Sequence, residues 1–557
     1  MTILDYTPVW PETAVFWGAG ATASIGMRTT QKLSESFYLL AQKDVTLTDR
    51  VKKSIGYDDK PVWLEAVVDL LNILGDPDTS TEAIESIRRQ FPLLNEDQQR
   101  TRLEELRSTY DWNTLYRIIQ ICPGNTKEEF QLQDLFNILD MHILNRQGFY
   151  VPDEVDASFI PFNRMIGARN SLKMLTILMH TLDFQFAITE KRDLIKKYES
   201  FAEVLYQLMI EEGFDFYKDV PDKLQERSFY LFSHSIISMN WDPILLWLLF
   251  NVHNNHNNGA SPPVIGVPPM PLKLFHDMGH FMGVRKIDGN TPQVWYPFNE
   301  TVVQRMNDPD HITSRRVRVG KYYFPHGCSG WRECPNCGKL TMYMGGEWGL
   351  DTATLFPPLP LPSLSFGYEV KSLQEKNAQD NGRSDAIQCT FCGTITEAQH
   401  VPLVMQSNFK GEHPSFVEEI QRDMRVSLER TQHVVLMGYS LPSDDVIYRS
   451  LLSARKNRGK GIFCSAVGKS AIPTDGWIGK DQIDSFLDKL RKDAPQDPFI
   501  RTITSVIEIF GKENARFCGD GIPGVFLENT GGSASMHKVK ELLYPSPIFP
   551  GYRVLRV

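Results

Sequence analysis

Two Cys-x-x-Cys-Gly units limit what this chain can fold into more than any other feature of its sequence. Cys334 and Cys337 form the first, in "ECPNCG", and Cys389 and Cys392 the second, in "QCTFCG". The glycine after each pair allows the tight turn that points two thiolates at one place. Two such turns close a tetrahedron of sulfur around one ion, with no position left open, so the expected Zn2+ is structural. Redox dithiols are the alternative, and the presence of two pairs favours the metal. Cys328 is not needed as a ligand, since four thiolates already suffice. The start of the chain, "MTILDYTPVWPETAVFWGAG", has no basic leader and no apolar run ending in a cleavage site, so the expected compartment is the cytoplasm, where cysteines bind metal more often than they form disulfides.

At 557 residues the chain exceeds one compact core, and two or three domains are expected. Lys and Arg number 59 against 68 Asp and Glu, a net charge of −9 that speaks against a general nucleic-acid surface. The most apolar run, "DPILLWLLFNV", gives way to "HNNHNNG", too soon to span a membrane.

Residues 13–26, "TAVFWGAGATASIG", read as a buried strand, a glycine-rich turn and the start of a helix. Residues 27–229 carry apolar side chains at three- and four-residue spacing, as in "VWLEAVVDLLNILG" and "SLKMLTILMHTL", and predict a large helical insertion burying its own stripes. "HSIISMNWDP", "TQHVVLMGYSLP" and "GIFCSAVG" predict further short strands, and "RRVRVGKYYF" another. "NVHNNHNNGASPPVIGVPPMPL" reads as a loop in which His253 and His256 are solvated. Strands separated by helices indicate an α/β fold with an open, mostly parallel sheet that binds ligands at the carboxyl ends of its strands. Residues 1–26, 230–320 and 400–470 would form this domain, with 321–399 a histidine loop and zinc ribbon. Residues 471–557 would complete the domain or mediate assembly; "KDQIDSFLDKLRK" in this segment predicts a helix, and "FCGDGIPGVF" has no clear pattern.

The single motifs are weak in isolation. "GAGAT" after a strand suits a pyrophosphate, or it is simply a tight turn; it lacks the G-x-G-x-x-G spacing expected for hydride transfer. "MNWDP" puts Asn240 and Asp242 just past a strand, as a ligand site or as an ordinary helix cap. "GYSLPSDD" is open to the same two readings.

Their order is more telling. A GAG turn, "MNWDP", "HGCSGWRECPNC", a second knuckle, "PLVMQSNFK" and "GYSLPSDD" follow one another in a succession that resembles the sirtuin superfamily, particularly its divergent bacterial sirtuin-like members. The matching blocks lie in residues 13–28 and 230–470. The resemblance implies a Rossmann-like NAD-binding domain beside a zinc ribbon, and cleavage of the nicotinamide–ribose bond. It assigns Gly18, Ala19, Gly20 and Thr22 to the pyrophosphate and ribose, and Gly438 and Ser440 to the adenosine half. Asp242 would hold the nicotinamide carboxamide, Asn240 would orient the ribose and attacking water, and His326 would be the catalytic histidine.

Departures from the pattern bear on the acceptor. Protein deacylases follow the glycine turn with Gly-Ile-Pro-Asp-Phe-Arg, where this chain has "IGMRTTQ". Met239 stands where those proteins have Gln, and no Phe-Gly-Glu follows the ribbon to pair with a substrate peptide. Water is then the expected acceptor, and the expected activity is that of an NAD glycohydrolase with NAD as substrate and Zn2+ as structural cofactor. By resemblance, such a protein depletes NAD in defence against phage, as a homo-oligomer or with a phage-sensing partner protein, and without direct nucleic-acid binding. Two other readings stay open: an NAD-dependent protein deacylase, and a non-catalytic NAD or ADP-ribose sensor.

Overall fold

The computed structural model describes residues 13–42, 45–56, 61–75, 81–151, 158–218, 234–258, 284–288, 291–295, 322–338, 340–343, 356–365, 372–389, 392–397, 400–405, 407–409, 415–443, 445–457, 462–529 and 531–544. Six strands form the central sheet: β1 (Thr13–Trp17), β2 (His234–Ser238), β3 (Tyr322–Tyr323), β4 (His433–Met437), β5 (Phe463–Val467) and β6 (Ala515–Cys518). Their order is β3-β2-β1-β4-β5-β6, and every neighbouring pair runs parallel. All five residues of β1, β2 and β4 are buried, as expected of parallel strands covered on both faces. Successive strands are added to one side of β1 up to β3, and to the other side from β4 to β6. The winding reverses between β1 and β4, which opens a crevice at the carboxyl ends there.

The expected strands in "HSIISMNWDP", "TQHVVLMGYSLP" and "GIFCSAVG" are β2, β4 and β5. In "RRVRVGKYYF" the structure describes β3, while residues 315–321 lie outside the described residues. "FCGDGIPGVF", without a pattern in sequence, supplies the end of β6 and then a loop. Asp520 in that loop accepts hydrogen bonds from the amides of Thr474, Asp475 and Gly476, tying it to the segment after β5. The Met536–Leu543 helix packs against the amino end of the sheet. There Thr13 Oγ1 donates to Leu543 O at 2.8 Å, and the buried Arg516 donates to Glu541 O at 2.6 Å.

Helices fill the region between β1 and β2. Phe162–Glu190 is their centre: it is buried on nearly every side and packs on Glu96–Thr109, Trp112–Ile121, Leu132–Leu144 and Arg192–Lys218. A small antiparallel hairpin, Phe149–Val151 with Ser158–Ile160, interrupts the helices. These helices do not bury their stripes only among themselves. Trp17 of β1 stacks on Phe201 at 6.2 Å, and Phe201 stacks on Phe526 of the C-terminal segment at 4.4 Å.

One expected loop is helical. Ile244–Asn258 continues through "HNNHNN", although Asn is a poor helix former. The reason is tertiary: the helix packs along Arg192–Lys218, His256 stacks on Tyr206 at 4.5 Å, and its Nε2 lies 2.6 Å from Glu203. Residues 259–272 of the expected loop, and the side chain of His253, lie outside the described residues. Among the described residues no helix is long and apolar enough to cross a membrane.

Three buried histidines make the fold sensitive to acid. Burial lowers His180 and His234 to about 4, and with the nearby Arg516 charge it lowers His433 well below the ordinary value. Unfolded histidine binds its proton near pH 6.5. Below that pH the unfolded chain gains protons that the folded chain refuses, so the stabilisation present above pH 6.5 is lost progressively toward pH 4. Asp242 acts in the opposite sense, because burial raises its carboxyl to about 6 and the folded state takes up that proton first. Three histidines act in one direction and Asp242 in the other, so stability is expected to fall between pH 7 and 5. Chemical denaturation at the two pH values measures this, and equal midpoints would contradict it.

Candidate functional site

A cavity of about 700 Å³ opens at the carboxyl ends of β1 to β4, where the winding reverses. Ala19 and Thr22 reach it from the turn after β1, Asn240 and Asp242 from the end of β2, His326 from the turn after β3, and Gly438 and Ser440 from the end of β4. Residues far apart in the chain meet there because four parallel strands end at one level.

The helix expected after the β1 turn is only one turn long. A single helical turn, Ala19–Thr22, runs into a tighter one, Ala23–Ile25, and Gly26 ends it in a left-handed conformation; the next long helix starts at Thr30. Tyr198, from the helical region, fixes the turn through Ser24 Oγ at 2.6 Å and Ala21 O. Gly18 and Gly20 face the end of β4: a Cβ on Gly18 would lie 2.5 Å from Gly438 O, and one on Gly20 would lie 2.9 Å from the same atom. Gly438 has φ +62°, and its own Cβ would fall 2.1 Å from the Ala21 amide nitrogen. The three glycines thus let two backbones meet at the reversal point. Gly438→Ala is expected to destabilise the protein by about 3 kcal/mol or more, because main chain rather than a movable side chain opposes it. Denaturant unfolding of the variant measures the loss, and a change within about 0.5 kcal/mol, the surface-substitution range, would contradict it.

Asn240, Thr22 and Asp242 form one hydrogen-bonded group. Asn240 Nδ2 donates to Gly18 O at 3.1 Å and to Thr22 Oγ1 at 3.2 Å. Thr22 Oγ1 in turn donates to Asp242 Oδ2 at 3.4 Å, and the Ile244 amide donates to Oδ1 at 3.2 Å. Asn240 is thereby fixed with its amide nitrogen toward the turn, which makes its oxygen the acceptor it can present. With its carboxyl raised to about 6 by burial, Asp242 can accept or donate near neutral pH.

His326 is buried, at 1 % exposure, and its Nε2 lies 3.3 Å from the Tyr448 hydroxyl. Tyr448 meets Phe16 edge to face at 6.4 Å, so β1 supports the ring that touches the histidine. The turn itself is held from two sides. Val404 N donates to His326 O at 2.9 Å, and a Cβ on Gly327, at φ +75°, would strike Pro402 O. Ser329 donates through both N and Oγ to Trp241 O, at 2.7 and 2.9 Å, which ties the histidine turn to the end of β2.

The Cys334, Cys337, Cys389 and Cys392 sulfurs lie within 4.8 Å of one another, close enough to bind one metal ion. Sγ separations of 3.5 Å (Cys334–Cys392) and 3.7 Å (Cys337–Cys389) approach the edge of about 3.8 Å expected for a tetrahedron with metal–sulfur bonds near 2.3 Å. The two knuckles are built alike. Gly338 and Gly393 have φ +64° and +75°, and their amides donate to Cys334 O and Cys389 O. Each knuckle caps an antiparallel pair: Trp331–Glu333 with Leu340–Tyr343, and Ile387–Gln388 with Ile395–Thr396. Because Trp331 follows the histidine turn and residues 400–404 return beneath it, the ribbon grips the His326 segment at both ends.

The helical region supplies a second wall of the cavity, which sequence reasoning did not anticipate. Arg28, Gln31, Glu128, Leu132 and His180 all line it. Arg28 is held by Asp183 through both its amide and its Nε, at 3.0 and 3.2 Å, and donates to Ile55 O at 2.7 Å. Gln496 and Arg501, from the C-terminal segment, lie on another side. In sequence His180 is one polar letter in an apolar stripe, with no local signal to separate it from a core histidine.

No protein-family model matches the chain, and no curated protein sequence matches it.

Proposed function

We propose that the protein is a sirtuin-like NAD glycohydrolase: a Rossmann-like sheet binds NAD, a structural Zn2+ ribbon flanks it, and the nicotinamide–ribose bond is cleaved by water. The observation that carries this reading is the convergence of Asn240, Asp242 and His326 with Ala19, Thr22, Gly438 and Ser440 on one cavity. The strand order 3-2-1-4-5-6 adds support, since dinucleotide-binding sheets bind across this reversal point.

Each group has a task in the reaction. Bond cleavage leaves positive charge on the ribose, which the Asn240 amide oxygen can stabilise while it orients a water. His326 accepts the proton that this water, or a ribose hydroxyl, gives up. Asp242 binds the carboxamide of the leaving nicotinamide. NAD and water then yield nicotinamide, ADP-ribose and one proton. The four thiolates would hold Zn2+ with no open position, so the ion would supply rigidity around the histidine turn. The further role as an NAD-depleting defence effector rests on the resemblance alone.

The test is incubation of purified protein with NAD and no peptide, with products separated by chromatography. Equimolar nicotinamide and ADP-ribose are expected. NAD bound but intact, in the presence of lysate from phage-infected cells as well, would favour the sensor reading.

A further inference from the structure

The groups assigned to the nicotinamide–ribose bond and an uncommitted arginine lie on opposite sides of the reversal point. Asn240, Asp242 and His326 follow the ends of β2 and β3. Arg501 comes from the helix Pro498–Phe510, which packs on β5 and on the helix Val446–Asn457 that follows β4. The start of this helix sits at the carboxyl end of β5, where a Cβ on Gly468 would lie 2.7 Å from the Phe499 ring. Arg501 therefore lines the cavity beside Ser440, Pro442 and Gln496.

Two guanidinium groups and no lysine line the cavity among the described residues. Arg28 is committed to Asp183. Arg501 is exposed and makes no hydrogen bond or ion pair among the described residues. The acids at this end are instead turned into the protein. Asp497, at 8 % exposure, accepts from Ala471 N at 2.6 Å and from Phe499 N at 2.8 Å. Asp445, at 5 %, accepts from the Tyr439 hydroxyl at 2.5 Å. Because Pro498 has no N–H and Phe499 N is engaged, the side chain of Arg501, not the helix end, is the donor available to an anion.

We propose that Arg501 selects a dinucleotide phosphorylated on its adenosine ribose, NADP, over NAD, a proposal that rests on the nucleotide reading of the cavity. With the nicotinamide ribose at Asn240 and the diphosphate at the reversal point, the adenosine ribose extends past the end of β4 toward Ser440 and Arg501. NAD carries no charge there, whereas the 2′-phosphate of NADP does. Dinucleotide-binding sheets that select NAD set an acid against the 2′-hydroxyl, and those that accept the 2′-phosphate set an arginine there. A guanidinium can give that phosphate two parallel hydrogen bonds. NADP and water then yield nicotinamide, 2′-phospho-ADP-ribose and one proton.

The experiment measures binding of NAD and NADP by calorimetry in a His326→Ala background, which prevents turnover. NADP should bind about tenfold more tightly than NAD, and adding Arg501→Gln should remove that advantage while changing NAD less than about twofold. Arg501→Lys, which keeps the charge without the planar fork, should retain part of it. Added salt should weaken NADP more in the parent than in Arg501→Gln. Retained NAD affinity shows that each variant is folded. If NADP binds no better than NAD, or if Arg501→Gln weakens both alike, the proposal is wrong and the NAD reading stands. If the parent binds neither dinucleotide, the NAD reading fails and the proposal falls with it.

Discussion

His326→Ala is expected to reduce NAD cleavage by roughly 10²–10⁴, the range that a positioned general base contributes. The loss should fall on kcat. His326 is one of many groups lining a cavity whose other contacts survive the change, so NAD affinity should shift little. Structural damage should be small too, since the turn is held by main chain: Val404 N on His326 O, and Ser329 on Trp241 O. Asn240→Ala should behave differently. Its amide nitrogen holds Gly18 O and Thr22 Oγ1, and Thr22 in turn meets Asp242, so truncation loosens the whole group. Affinity and kcat should therefore fall together. Nicotinamide release under saturating and limiting NAD separates the two patterns. Wild-type kcat in the His326 variant would remove that residue from the chemistry.

The second large effect concerns the four cysteines. The protein is expected to carry one zinc per chain, and Cys389→Ser, or exposure to a strong chelator, is expected to remove it. Metal-bound thiolates contribute directly to folding, and three ligands hold zinc far more weakly than four. The loss should not stay local, because the ribbon grips the histidine turn through Trp331 on one side and residues 400–404 on the other. Arg102, in the helical region, also reaches Asp385 beside the second knuckle at 3.1 Å, with both side chains buried. Metal-free protein should therefore lose NAD cleavage and become sensitive to protease around residues 334–404. Elemental analysis, proteolysis and nicotinamide release measure the three effects. A chain isolated without metal that keeps a protected ribbon and full turnover would rule out this role for the cysteines.

Local rules carried the strands and helices a long way. Short runs rich in apolar residues became β2, β4 and β5, because parallel strands covered on both faces favour apolar side chains, although His234, Ser235 and Ser238 of β2 are buried too. The knuckles were legible because thiolate convergence needs a fixed spacing and a turn glycine. Asn240 and Asp242 lie just past a strand end, where such sheets bind ligands, but they and His326 stand out in sequence only through the order of motifs that resembles sirtuin-like proteins. What sequence reasoning missed depends on distant contacts. The "HNNHNN" stretch is helical because of Glu203 and Tyr206, and β6 is a strand because β5 pairs with it. The glycines of the GAG turn have a purpose visible only once Gly438 is seen pressed against them. His180 joins the cavity wall through the packing of a whole helical region, which no short window of sequence contains.

The aromatic column of Trp17, Phe201 and Phe526 has an evolutionary consequence. It draws on the first strand, the inserted helices and the C-terminal segment at once, so none of the three can be exchanged without the others adjusting. A lineage that gained or lost the helices in a single step would expose the indole of Trp17 and one wall of the cavity. The helices and the sheet are therefore expected to have been inherited and varied as one unit, not shuffled as separable modules.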